Sequence, residues 1–307
     1  MFLISIIFGG ALLYFGAEKL VEGAEKLSLK YNIDPLWSGI FILAIGTSLP
    51  ELATCAYAHS IGGQSPLILG NILGSNVANI ALVLGICSFF SVVNITSKKI
   101  IKYDLAFLFV FTVISFFIFS NTISAVTGAI IISMYLVYLF YPILTKKQKN
   151  SETLDNDKSV SLNKAIISLL AGVILLPLGS KFLVSGSIEM AKLFNLNLKF
   201  VGLTVVAFAT SGPELLTSIL AARKNITSMA IGNVIGSNFF NFVIVGILSI
   251  FKPIESNTSI ISIDSIIILS LTASLILFAI FKKKLDRSFS FFCLTAYIVY
   301  VFYSYYK

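Results

Sequence analysis

Two acidic residues lie inside long apolar stretches of this chain, and each belongs to one copy of a duplicated motif. The first copy reads Gly46-Thr47-Ser48-Leu49-Pro50-Glu51 and the second reads Ala209-Thr210-Ser211-Gly212-Pro213-Glu214. A further motif follows each copy, as Gly70-Asn71-Ile72-Leu73-Gly74-Ser75-Asn76 and as Gly232-Asn233-Val234-Ile235-Gly236-Ser237-Asn238. A carboxylate inside a membrane span is costly and is a functional candidate by default. Two of them in matching contexts predict a binding site at the interface of an internal repeat.

The composition is that of a polytopic membrane protein. Hydrophobic residues make up 57% of the chain and charged residues 12%, whereas soluble domains carry about 25% charged residues. The formal net charge is +8, but the basic residues fall in short loops, which is a pattern of membrane topology and not of nucleic-acid binding. We therefore expect the lipid bilayer as a partner and no nucleic acid. The sequence names no protein partner.

The cysteine and histidine content argues against a resident metal cluster. Cys55, Cys87 and Cys293 fall in apolar stretches far apart in the sequence, which is unlike the spacing of disulfide frameworks or metal–thiolate sites. His59 is the single histidine. We therefore predict no cofactor, and we expect any bound ions to be transported substrates.

Ten apolar runs are long enough to cross a bilayer as helices, for which about 20 residues are needed. The runs cover 3–25, 35–60, 66–92, 103–120, 123–145, 163–190, 198–221, 227–251, 260–281 and 288–306. The hydrophilic segment after the fifth run is too short for a domain and is interpreted as a linker. The predicted fold is an all-α polytopic membrane protein with a first repeat over 1–145, a linker over 146–162 and a second repeat over 163–307.

The two halves also align outside the motifs. The segment from Gly16 to Glu51 aligns without a gap with the segment from Gly179 to Glu214. Because each half holds an odd number of spans, the second half must be inverted in the membrane, as in many secondary transporters. Lysine and arginine are concentrated in the loops of one side, including the linker, and the positive-inside rule places that side in the cytoplasm. Both termini are therefore predicted to face outward.

Glu51 and Glu214 fall near the middle of predicted spans and are the expected centre of an ion site. Two carboxylates balance one divalent cation, and calcium prefers such hard oxygen ligands. Pro50 and Pro213 lack an amide proton and free a backbone carbonyl one turn earlier, which suits cation binding near half-helix ends. Neutral side-chain oxygens in the same segments suit a monovalent ion. They belong to Thr47, Thr210 and two stripes spaced by four residues: Asn71, Ser75 and Asn79, and Asn233, Ser237 and Asn241.

These paired motifs and the ten-span plan resemble the prokaryotic type of the sodium/calcium exchanger family, within the wider cation/calcium antiporter superfamily. The resemblance implies that Glu51 and Glu214 ligate calcium with help from the carbonyls of Thr47 and Thr210. It implies that sodium is held by Ser48, Ser75, Ser211, Ser237 and the carbonyls of Ala44 and Ala207. It also implies that the first helix of each half slides as a gate over a fixed core. The implied function is secondary active exchange of sodium for calcium by alternating access.

The second half departs from the family pattern at three positions. Ala209 and Gly212 replace the usual Gly and Leu of the first motif. Position 241 is Asn, where potassium-dependent relatives and some prokaryotic members carry Asp. With Asn241, a potassium requirement is not expected, and the site holds one titratable group fewer.

Three other functions are weighed against exchange. A proton-coupled calcium or cation antiporter is the main alternative, although its usual Gly-Asn-Ala-x-Glu motif is absent. An intramembrane serine protease is suggested by Thr210-Ser211-Gly212, but the one candidate base, His59, lies at a predicted helix end in the other half. A channel would use the same ligands, but a helix break beside each Glu in an inverted repeat favours alternating access. We therefore expect a transporter and not an enzyme.

Overall fold

The computed structural model describes residues 2–61, 65–95, 100–119, 121–144, 161–193, 210–255 and 258–306. Within these ranges the chain forms eleven helices. They are α1 (Phe2–Tyr31), α2 (Pro35–Thr47), α3 (Leu49–Ile61), α4 (Ser65–Phe90), α5 (Ala106–Phe119), α6 (Ala125–Leu144), α7 (Leu162–Leu193), α8 (Gly212–Arg223), α9 (Thr227–Phe251), α10 (Thr258–Phe281) and α11 (Arg287–Tyr306). The all-α fold class is confirmed.

The described helices occur at each of the ten predicted spans. The second span is a bent pair, because α2 and the start of α3 meet at an angle of 44°. The seventh predicted span, 198–221, is described from residue 210 onward, and the linker 146–162 lies outside the described residues except for 161–162. By length and composition, five described helices are able to cross a membrane, or six if the bent pair counts as one span.

Local sequence explains where α2 begins. Asp34 precedes the helix and its Oδ1 accepts a hydrogen bond from the backbone amide of Leu36 at 3.0 Å. Pro35 occupies the first helical position, where its fixed φ fits the helix and no amide proton is needed. An N-cap of this type contributes about 1 kcal/mol. It therefore stabilises the start of the helix that carries the first motif.

Helices α1 and α7 pack against each other in antiparallel orientation. A Cβ on Gly9 would lie 2.8 Å from the carbonyl oxygen of Gly179, and a Cβ on Gly23 would lie 2.9 Å from the amide nitrogen of Leu169. Residue numbers thus fall along α7 as they rise along α1. A Cβ on Gly172 would in turn lie 2.9 Å from the carbonyl oxygen of Gly16. Each helix therefore presents equivalent glycines to the other, as an inverted repeat requires.

Helices α4 and α9, which carry the Gly-Asn-x-x-Gly-Ser-Asn motifs, form the centre of the protein. In their most apolar windows 83% and 78% of residues are buried, against 33% in α1 and 28% in α7. A large apolar cluster surrounds α4 and α9. A smaller, separate cluster joins α1 and α7 to α8 and the start of α9; it includes Leu13, Leu20, Leu176, Ala221 and Met229. The α1–α7 pair therefore packs on the central body through a second, smaller apolar cluster.

Two short backbone pairings connect loops from the two halves. Strand β1 (Val93–Asn94), after α4, is antiparallel to β2 (Lys284–Leu285), between α10 and α11. Ile123, between α5 and α6, forms a bridge with Ile254, after α9. Each pairing joins two loops that the predicted topology places on the same side of the membrane.

Candidate ion-binding site

A matching helix break precedes each of the two buried glutamates. Ser48 has φ −85° and ψ 10°, and Ser211 has φ −83° and ψ 2°. In both cases the residues that follow start a new helix, α3 or α8, with the glutamate in its first turn. The partial positive charge of a helix N-terminus stabilises a carboxylate there. Each break therefore places one acidic side chain where its charge is partly compensated.

Glu51 and Glu214 are brought to the interface between the halves. Each is 1% exposed. The hydroxyl of Ser48 donates to Oε1 of Glu214 at 3.1 Å, and the hydroxyl of Ser75 donates to Oε1 of Glu51 at 3.5 Å. The Oε2 atoms of both glutamates are buried and have no hydrogen-bond partner among the described residues. Each carboxylate thus keeps one oxygen for a further ligand.

Asn79 and Asn241 contribute two further acceptor oxygens. Both residues are 1% exposed. Their Nδ2 groups donate to other asparagines, but their Oδ1 atoms have no hydrogen-bond partner within the described ranges. Asn79 also begins a π-helical stretch, Asn79–Leu84, and such stretches are frequent at functional sites. Buried acceptors without a donor are unfavourable, whereas oxygen atoms of this kind are the ligands that calcium and sodium prefer.

Thr47 connects the first motif to the second motif of the other half. Its hydroxyl lies 3.3 Å from Oδ1 of Asn233, 3.4 Å from the hydroxyl of Ser237 and 3.3 Å from the carbonyl oxygen of Ala44. Thr47, Ser237 and Ala44 are fully buried. The structure therefore brings these predicted ligands together across the repeat interface.

Asn71 and Asn233 lie farther along the polar stripes, and their Nδ2 groups donate within their own halves. Asn233 donates through Nδ2 to the hydroxyls of Thr217 at 3.0 Å and Ser218 at 2.9 Å, and to the carbonyl of Glu214 at 3.3 Å. Asn71 is half-buried and donates to Sγ of Cys55 at 3.3 Å. These amides connect each motif helix to the helix that carries the glutamate. In this arrangement their donors support α3 and α8.

The remaining predicted ligands are placed as follows. Ser211 is buried at the second helix break, and Thr210, the first described residue of that segment, is half-buried. Ala207 and Ala209 lie outside the described residues. In the part of the chain that the structure describes, no group of three or more His, Cys, Asp and Glu residues is able to hold a metal.

Two asparagines at this interface are not among the site residues predicted from the sequence. Asn76 and Asn238 are buried and accept the Nδ2 groups of Asn241 and Asn79. They lie one residue outside the stripes spaced by four, so periodicity alone assigns them to another helix face. Their only signal in the sequence is that both end the duplicated Gly-Asn-x-x-Gly-Ser-Asn motif.

One further acidic residue is buried. Asp104 is fully buried and accepts a hydrogen bond from the hydroxyl of Tyr138 at 2.9 Å. Tyr138 is itself stacked on Phe239 of α9, with ring centroids 4.5 Å apart. The aromatic packing between α6 and α9 thus encloses this carboxyl group.

Comparison with known proteins gives a consistent result. The family model described as sodium/calcium exchanger protein matches residues 1–144 and 164–306. An uncharacterized membrane protein of Methanocaldococcus jannaschii is 33% identical, over 90% of this chain and 89% of that protein. The sodium/calcium exchanger MaX1 of Methanosarcina acetivorans is 28% identical, over 81% of this chain and 83% of that protein. The structure of the sodium-calcium exchanger NCX_Mj soaked with 2.5 mM Na+ and 0.1 mM Ca2+ superposes with a TM-score of 0.83 at 29% identity, covering 97% of this chain and 96% of that chain.

Proposed function

The chain belongs to the sodium/calcium exchanger family, and we propose that it exchanges sodium for calcium across a prokaryotic membrane by alternating access. The observation that carries the proposal is the set of four buried acceptor oxygens without described partners, on Glu51, Glu214, Asn79 and Asn241. Two of them are carboxylate oxygens and two are amide oxygens. Such a set matches the charge of a calcium ion and its preference for hard oxygen ligands.

Calcium is proposed to lie between Glu51 and Glu214, with the carbonyls of Thr47 and Thr210 as further ligands. The hydrogen bond from Ser48 to Glu214 supports this placement, because it joins the break before one glutamate to the carboxylate of the other. Two negative charges close together in a membrane interior repel each other strongly. A divalent cation removes this repulsion, which gives the site a preference for double positive charge.

Sodium is proposed to occupy overlapping positions, held by the same glutamates with Ser48, Ser75, Ser211, Ser237 and the carbonyls of Ala44 and Ala207. A hydroxyl that donates to a carboxylate also has two lone pairs, so it is able to turn them toward a cation. Ser48 and Ser75 are already positioned against the glutamates for such a role. Asn71 and Asn233 stay predictions as sodium ligands.

Coupling is proposed to follow from the cost of uncompensated charge. An unpaired carboxylate in a buried site costs several kcal/mol. States loaded with calcium or with a full set of sodium ions would therefore reorient, whereas empty or partly loaded states would not. The α1–α7 pair, which packs on the rest of the protein through the smaller apolar cluster, suits the role of a gate that moves relative to the central body.

We further infer the arrangement in the membrane. The repeats 1–145 and 163–307 are placed in opposite orientations, both termini face out, and the linker is cytoplasmic. The concentration of lysine and arginine on the linker side supports this orientation. Labelling of single cysteines introduced in the linker and at the C-terminus, with an impermeant reagent on intact cells, tests it.

The function is tested with purified protein in sodium-loaded vesicles that are diluted into sodium-free medium containing labelled calcium. Exchange predicts calcium uptake that needs the outward sodium gradient and is unaffected by a proton ionophore. Uptake driven only by an imposed pH gradient would assign the protein to the proton-coupled alternative. Absence of calcium flux under both gradients would contradict calcium as the substrate.

A further inference from the structure

Four buried asparagines form a reciprocal cross-link between the two central helices. Nδ2 of Asn241 in α9 donates to Oδ1 of Asn76 in α4 at 2.9 Å. Nδ2 of Asn79 in α4 donates to Oδ1 of Asn238 in α9 at 3.0 Å. All four side chains are at most 1% exposed. The amides therefore meet in an interface from which water is excluded. A buried amide that loses its partner is costly, so each hydrogen bond there fixes the orientation of the amides that it joins.

The cross-link is duplicated in the same way as the sequence. Asn76 and Asn238 occupy the same position of the motif, directly after Ser75 and Ser237, and Asn79 and Asn241 each follow three residues later. In both pairs the later asparagine is the donor and the earlier asparagine of the other half is the acceptor. The cross-link therefore follows the symmetry of the inverted repeat.

The two kinds of asparagine use their amides differently. Oδ1 of Asn76 and Oδ1 of Asn238 each accept a hydrogen bond, whereas Oδ1 of Asn79 and Oδ1 of Asn241 have none among the described residues. The oxygen and the nitrogen of an amide lie on opposite edges of one plane. Asn238 holds the Nδ2 group of Asn79, and Asn76 holds the Nδ2 group of Asn241. The Oδ1 atoms of Asn79 and Asn241 must therefore point away from these partners.

Asn76 has a further contact that resists inversion of its own amide. Its Nδ2 group donates to the backbone carbonyl of Asn238 at 3.5 Å. If the Asn76 amide turned over, its oxygen would face that carbonyl and its nitrogen would face the Nδ2 group of Asn241. Both contacts would then oppose like partial charges. The observed orientation is the one that satisfies both neighbours.

We propose that Asn76 and Asn238 are positioning residues of the ion site, which hold the amides of Asn241 and Asn79 so that the Oδ1 atoms of the latter face the ion. The inference rests on the proposed function. Residues that orient metal ligands typically change metal affinity by about 10–100-fold when they are replaced. These two residues, which we call the anchors, thus belong to the site without touching the ion.

The geometry also accounts for the residue type at position 241. The Asn76 oxygen requires a hydrogen-bond donor opposite it, and the Asn241 amide supplies one. An ionised carboxylate at position 241 would place oxygen against oxygen in a buried interface. Asn76 therefore favours a neutral ligand at position 241. Glu51 and Glu214 are then the charged pair of the site.

The test is a pair of double-mutant cycles on calcium uptake into sodium-loaded vesicles, with KM for calcium and kcat determined separately. Asn76→Leu and Asn238→Leu remove the anchor while keeping similar volume, and each is expected to raise KM for calcium by about tenfold. If Asn76 acts through Asn241, its effect disappears in an Asn241→Leu background, because the ligand that it orients is already absent. Asn238→Leu must likewise lose its effect in an Asn79→Leu background.

The crossed combinations provide the matched controls. Each crossed combination pairs two residues of one helix that share no hydrogen bond: Asn76→Leu with Asn79→Leu, and Asn238→Leu with Asn241→Leu. In each double variant, the increase in KM is expected to be the product of the increases in the two single variants. Ser88→Ala removes a buried hydroxyl of α4 that bonds to its own helix, and KM is expected to be unchanged. If the variants acted through a general loss of packing, their effects on KM would combine in the same way in the hydrogen-bonded pairs and in the crossed pairs.

The outcomes separate this inference from the proposed function. If the wild-type protein neither binds nor transports calcium and sodium, the proposed function fails. If the wild type exchanges these ions while Asn76→Leu and Asn238→Leu keep its KM, or if all four combinations are equally additive, the positioning role is wrong. Thermal unfolding shows whether each leucine variant is folded. If one is not, the same cycles with serine at the anchor positions give the same comparison.

Discussion

The hydroxyl of Ser48 donates to Oε1 of Glu214 across 3.1 Å, so the helix break of the first half contacts the carboxylate of the second. Thr47, the residue before it, reaches Asn233 and Ser237 of the second half as well. A site of this kind belongs to both halves at once. Relative movement of the elements that contribute to it must therefore change the coordination of a bound ion, which connects binding to reorientation.

Glu51→Gln and Glu214→Gln are each expected to reduce sodium-driven calcium uptake to background. Either change removes one of the two charges that balance a divalent cation and leaves the other carboxylate alone in a buried site. Uptake is measured in sodium-loaded vesicles, with Glu189→Gln, an exposed glutamate of α7, as the control. Normal uptake in either site variant would contradict the ligand assignment.

Asn241→Asp is expected to make uptake dependent on pH or on potassium. At low pH the protonated carboxyl group of the variant still has a hydroxyl that is able to donate to Asn76, so the variant should resemble the wild type. At higher pH the ionised group adds negative charge and opposes the Asn76 oxygen, so transport should diverge from the wild type as pH rises. Initial rates over a pH series, with and without potassium, provide the measurement. A profile identical to that of the wild type would refute our interpretation of this position.

Gly179→Ala is expected to destabilise the protein by about 1–3 kcal/mol, as overpacking does in a close interface. The new Cβ would lie 2.7 Å from the amide nitrogen of Leu13 and 2.9 Å from the carbonyl oxygen of Gly9, so backbone atoms must separate. Gly10→Ala is the matched control, because nothing lies within 4 Å of a Cβ there. Thermal unfolding in detergent measures the difference, and equal stability of the two variants would rule out close α1–α7 packing.

Tyr138→Phe is expected to lower stability by about 1–3 kcal/mol, since it removes the hydrogen bond to the buried carboxyl of Asp104. The stacking of the ring on Phe239 is retained. KM for calcium should stay close to that of the wild type, because neither residue is placed in the ion site. The measurement pairs thermal unfolding with uptake kinetics; Tyr57→Phe, at an exposed tyrosine, serves as the control. Unchanged stability would show that the hydrogen bond contributes little.

Several elements of the fold were predictable because their signals are local. The apolar run 227–251 predicted α9 with the observed bounds, Thr227–Phe251. The first run, 3–25, was too short, because α1 continues to Tyr31 through charged residues. Lys19 and Lys26 both pair with Glu22 on that helix, so ion pairs along one face sustain a helix that hydropathy alone ends early. The burial of Asp104 has no such local signal, since it depends on Tyr138 from another helix.

The helices, their inverted duplication and the two central glutamates follow from the sequence, because hydropathy, proline and motif repetition are properties of neighbouring residues. The use of each polar side chain depends on contacts between the halves. Asn233 and Asn241 lie on the same stripe, yet Asn233 bonds to Thr217 and Ser218 while Asn241 bonds to Asn76. Nothing in the spacing distinguishes them. An amide acquires its orientation from the partner that packing brings against it, and for Asn241 that partner is 165 residues away in the chain.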